Sequence, residues 1–76
     1  MAEFEEWTAS VLEVPAEQIT DELGPATCGG WTSLRHVQLV GEAQRRYGVR
    51  LTPRQVRSVR CIGDLREVLV SYGVTP

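Results

Sequence analysis

Proline and glycine punctuate this chain so closely that few architectures remain open to it. Pro15, Gly48, Pro53 and Gly73 bracket stretches in which apolar residues recur every three or four positions, and no stretch alternates as a half-buried strand would. The first segment, Ala2 to Glu13, sets Phe4, Trp7, Val11 and Leu12 at helical spacing, with Glu3, Glu5, Glu6 and Ser10 elsewhere on the wheel. Glutamates in a first turn suit the positive end of the helix dipole. Val14-Pro15 closes the segment, because the residue before a proline is pushed out of the helical region. A second helix is predicted from Thr32 or Ser33 to Tyr47, with Gly48 as its terminating glycine. Val37, Leu39, Val40, Ala43 and Tyr47 share its apolar face, and Arg35, Gln38, Glu42, Arg45 and Arg46 share the other. Thr52-Pro53-Arg54-Gln55 starts a short third helix reaching about Ser58: Thr52 caps, Pro53 takes the first position, and Gln55 closes a capping box. Val56 and Val59 are expected to face inward. A fourth helix, from about Ile62 to Tyr72, buries Ile62, Leu65, Val68, Leu69 and Tyr72 and stops at Gly73. The expected fold is all-α, a four-helix bundle of three longer helices and one short. A long loop, Pro15 to Trp31, joins the first two helices and is tacked to the core by Ile19 and Leu23.

Seventy-six residues are expected to form one domain, 1–76. Hydrophobic residues make up 42% of the chain, enough to supply a core and to argue against disorder. Cys28 and Cys61 form no CxxC pair, and the single histidine completes no metal site, so both are expected as reduced thiols with no bound metal. No run approaches the ~20 apolar residues that span a bilayer. The opening residues MAEFEEW are acidic, unlike a signal peptide, and a soluble, cytoplasmic, monomeric protein is expected. The net charge of −2 hides an asymmetry: residues 1–34 carry seven acids and no base, whereas 35–76 carry all eight arginines and three acids. Such segregation speaks of charged partner surfaces rather than of fold. Arg54, Arg57 and Arg60 recur every three residues; a solvated helix face accounts for them better than a nucleic-acid face, since the chain is acidic overall and the segment is short.

One position invites chemistry. Ser33 lies where the Gly29-Gly30 loop meets a helix, and a helix start offers unpaired N–H groups and about half a positive charge to a phosphate. The glycines leave room for another protein to approach the hydroxyl. Taken alone, a Thr-Ser pair at a helix start is more often a cap. The stretch Trp31-Thr32-Ser33-Leu34-Arg35-His36-Val37-Gln38-Leu39-Val40, followed by Tyr47-Gly48-Val49-Arg50-Leu51, resembles the phosphopantetheine segment of acyl and peptidyl carrier proteins. Cys61-Ile62-Gly63-Asp64-Leu65 is similar to the opening of that family's last helix, and Leu12, Ile19, Leu23 and Gly24 fall at its apolar and glycine positions.

The resemblance implies a free-standing carrier that does no catalysis itself. A phosphopantetheinyl transferase, using Mg²⁺ and coenzyme A, would join 4′-phosphopantetheine to Ser33, and the arm's thiol would hold an acyl or aminoacyl group as a thioester for loading, synthase or tailoring enzymes. Polyketide or related secondary-metabolite biosynthesis is the implied setting, with an acyl cargo preferred. A peptidyl carrier of nonribosomal peptide synthesis and an unmodified helical adaptor are the alternatives, and a nucleic-acid-binding helical domain a distant third. Thr32 departs from the family's aspartate: it keeps the cap but removes a negative charge beside the acceptor. Leu34, His36 and Trp31 flank Ser33. His36 is read as contacting the arm or cargo, or as a partly buried, hydrogen-bonded ring, the second being preferred. Trp31 is read as a cargo contact or, preferably, as packing for the loop. Arg35, Gln38 and Arg45 are expected to meet partner enzymes, whose docking surfaces should then be neutral or acidic.

Overall fold

In the computed structural model, which describes residues 3–76, four helices follow one another: α1 (Glu3–Leu12), α2 (Ser33–Tyr47), α3 (Pro53–Ser58) and α4 (Ile62–Ser71). A 3₁₀ turn, Ala16–Gln18, follows α1, and no strand occurs among the described residues. The architecture is the expected all-α bundle of three longer helices and one short. The predicted start of the first helix at Ala2 lies outside the described residues.

Three helices end with one device. Glu13 takes the left-handed conformation that glycine usually supplies, φ 57°, and the Val14 N–H returns to the Ala9 carbonyl at 3.1 Å. At Gly48, φ 65°, the Val49 N–H reaches the Gln44 carbonyl, and at Gly73, φ 82°, the Val74 N–H reaches that of Leu69. α1 therefore stops before Pro15 forces it to.

One core draws on Phe4, Trp7 and Leu12 of α1, Leu39 and Ala43 of α2, Val59, and Ile62, Leu65 and Leu69 of α4. Thr8 joins them fully buried, its hydroxyl satisfied by the Phe4 carbonyl at 2.8 Å. α3 buries no residue; Val56 is half-buried and Val59, just past the helix, is fully so. Tyr72 corrects the sequence reading. It is exposed, and its hydroxyl lies 2.8 Å from both the Arg50 carbonyl and Gln55 Oε1, partners that a core position would not provide.

The long loop is built into the bundle. Ile19, Cys28 and Trp31 are buried in the common core, with Leu23 packed against it. The Leu23 and Asp21 carbonyls accept from the Ile62 and Gly63 N–H groups at 2.9 Å each. They serve as the cap of α4, where the Cys61 side chain makes no capping bond. Gly24 is required at this contact, since a Cβ there would lie 2.3 Å from the Arg60 carbonyl oxygen. Both cysteines are free thiols, Cys28 buried and Cys61 half-buried. Among the described residues no helix is long and apolar enough to cross a membrane.

Candidate functional site: a serine at an open helix start

Ser33 is the first residue of α2 and is exposed. Thr32 precedes it in an extended conformation and caps the helix, its hydroxyl accepting from the Arg35 N–H at 3.2 Å while its carbonyl accepts from the His36 N–H at 2.8 Å. The N–H groups of Ser33 and Leu34 find no partner among the described residues, as expected of a helix's first two positions. Of the other serines, Ser58 and Ser71 donate their hydroxyls to the Gln55 and Val68 carbonyls at 2.8 and 2.6 Å. The Ser33 hydroxyl makes no such bond.

The approach to Ser33 is packed against the bundle at one of its two glycines. Gly30 lies against the end of α1, so close that a Cβ would stand 2.7 Å from the Leu12 carbonyl oxygen. The glycine serves close approach there, and only Gly29 faces open space. Trp31 is buried and donates its indole N–H to His36 Nδ1 at 3.0 Å. An indole nitrogen only donates, so the imidazole proton sits on Nε2, which donates to the Val56 carbonyl at 2.9 Å. The rings lie 27° from parallel with centroids 6.0 Å apart. His36 thereby ties the start of α2 to α3, and the structural readings of Trp31 and His36 are the ones the geometry supports.

Two expectations for α2 need correction. Val37, placed on the buried face, is 65% exposed, and Leu34 is 67% exposed, so the seam consists of Leu39, Val40 and Ala43, with Tyr47 packed against the core at its end. Arg35, placed outward as a partner contact, is turned inward: it bonds Glu13 at 2.8 Å and the Val11 carbonyl at 3.3 Å. Arg45 projects into solvent but pairs with Glu42, which Arg46 also holds at 2.7 Å. These bonds, that of Arg45 first, hold the Glu42 carboxyl below its ordinary value of 4.5. Gln38 is exposed as expected.

Beside Ser33 lies an open groove of about 410 Å³ between α2 and α3, lined by Trp31, Ser33, His36, Val37, Arg57 and Val59 among others. Arg57 and Val59 were not singled out for this place in the sequence, and nothing local to them signals that α3 folds back beside Ser33. No group of three or more His, Cys, Asp or Glu able to hold a metal occurs among the described residues. The site thus combines a free nucleophilic hydroxyl, two unpartnered N–H groups and a partly apolar groove. Compared with protein-family models and with curated proteins, the chain matches none.

Proposed function

We propose that the protein is a carrier that accepts 4′-phosphopantetheine on Ser33. The observation that carries this reading is the exposed, unbonded Ser33 hydroxyl beside the open start of α2. In the transfer, Ser33 Oγ would form the bond to phosphorus as the pyrophosphate bond of coenzyme A breaks, the adenosine bisphosphate half leaves, and the hydroxyl proton passes to the transferase. The surroundings fit the group. A phosphodiester on Ser33 lies at the positive end of α2, beside two unpartnered N–H groups, with Arg57 across the groove. Val37, exposed on the groove, offers apolar surface to a flexible chain. The arm supplies a terminal thiol that carries an acyl group; this chain's own residues hold the attachment point steady and perform no catalysis.

An acyl cargo of polyketide-type biosynthesis is preferred to an aminoacyl one, with a phosphopantetheinyl transferase and the loading and synthase enzymes as partners of a monomeric, cytoplasmic carrier. Thr32 caps as aspartate would, so the departure bears on which transferase recognises the site rather than on whether the helix starts there. Incubation with coenzyme A, Mg²⁺ and a broad-specificity transferase should add one phosphopantetheine to the intact mass. Ser33→Ala should add none while unfolding at the wild-type temperature. An unchanged wild-type mass with several transferases would leave the chain an adaptor.

A further inference from the structure

The eight arginines divide into two sets. Arg35, Arg45, Arg46 and Arg66 each pair with a carboxylate. Arg50, Arg54, Arg57 and Arg60 are exposed and pair with none among the described residues, and they fall within residues 43–63, a stretch without a single acid. Arg54 and Arg57 stand three residues apart on α3, hence on one face. Across the groove from Arg57 lies the exposed Val37, with Leu34 one turn earlier on the same side of α2. Unpaired surface arginines carry little meaning by themselves. Here Arg57 borders apolar surface, Val37, that the bundle leaves in water beside Ser33.

We propose that this face, Arg54 and Arg57 with Leu34 and Val37, docks a partner protein through a carboxylate-rich surface with an apolar centre. Guanidinium groups recognise carboxylates through paired hydrogen bonds, and an apolar centre with a charged rim is the usual anatomy of a specific interface. The inference moves the basic docking surface from α2, where Arg35 and Arg45 are already paired, to α3. Nucleic acid is the poorer occupant: α3 has only six residues, the chain's net charge is −2, and Leu34 and Val37 would gain nothing from a phosphate backbone. A second copy of the chain is also poorer, because basic face to acidic face is a head-to-tail contact, which builds rings or open filaments rather than the commoner two-fold dimer. Glu3, Glu5, Glu13 and Asp21 are moreover bonded to arginines within the chain, which leaves Glu6, Glu17, Glu22 and Glu67 as its exposed unpaired acids among the described residues. The proposal rests on the carrier reading for what the partner does at Ser33, but the surface itself does not depend on it.

The test titrates the isotope-labelled protein with a helical peptide bearing leucines along one face flanked by glutamates. The same peptide with lysines and a DNA duplex serve as rivals. The glutamate peptide should shift the amide signals of Leu34, Val37, Arg54 and Arg57, and the lysine peptide should not. Reversing both charges, Arg54→Glu with Arg57→Glu, should weaken binding about tenfold or more, with the milder Arg54→Gln, Arg57→Gln variant between. Ser33→Ala should bind like wild type, so failure of arm attachment and failure of docking are read separately. Binding indifferent to charge reversal, preference for the duplex, or concentration-dependent self-association that the reversal abolishes would each overturn the proposal.

Discussion

The starts of α2 and α3 use the same capping residue to opposite ends. At α3, Thr52 accepts from the Gln55 N–H at 3.1 Å, Gln55 returns a bond to the Thr52 N–H at 2.9 Å, and Pro53 removes a further donor. Only the Arg54 N–H of that start is left without a partner among the described residues, so the start is nearly sealed. At α2, Thr32 accepts from the Arg35 N–H, but arginine cannot return the bond and turns instead to Glu13 and the Val11 carbonyl. Ser33 stands where α3 has proline, so its N–H and its hydroxyl both remain open. A sealed start stabilises a helix, whereas an open one keeps unpaired donors beside a nucleophile.

Removing the support of the open start should have the largest effect. Trp31→Ala deletes a buried indole and its bond to His36, and should cost about 3–5 kcal/mol in denaturant titration. A loss under ~1 kcal/mol would mean that the loop does not hold α2 in place. The caps sharpen the contrast. Thr52→Ala removes one half of a reciprocal pair and should cost about 1–2 kcal/mol, whereas Thr32→Ala should cost roughly 0.5–1 kcal/mol. Equal losses would erase the distinction between sealed and open.

The smallest effect belongs to the far end of α2, which serves as a control. Arg45 and then Arg46 hold the Glu42 pKa below 4.5, so the stabilisation they give is complete above that value and is lost as pH falls through the folded-state pKa. Glu42→Gln should flatten the decline in melting temperature below pH 4.5 without altering modification of Ser33. A steeper decline would contradict the assigned direction.

The start of α3 and the stops at Gly48 and Gly73 were legible in the sequence because their causes are local: Thr52, Pro53 and Gln55 act within four residues, and the two glycines act through their own backbone angles. What was hidden is non-local. Arg35 meets Glu13 across 22 positions, and the wheel that grouped Val37 with Leu39 and Val40 has no knowledge of which elements cover it. α3 is too short to bury a residue of its own, so Val37 remains uncovered beside it. Tyr72 was misplaced for a related reason, since its hydroxyl finds the Arg50 carbonyl only once the chain has folded. Ser33 was legible as a helix start, but nothing local marks its hydroxyl as unbonded, as that of Ser10 also is, while Ser58 and Ser71 donate theirs to nearby carbonyls.

The decisive measurement locates the modification within the chain. After incubation with coenzyme A and transferase, fragment masses should place a single phosphopantetheine on Ser33, with Ser10, Ser58 and Ser71 unmodified. An adduct on Ser10, the other serine without a side-chain bond among the described residues, would contradict the account, as would no adduct on any serine with several transferases.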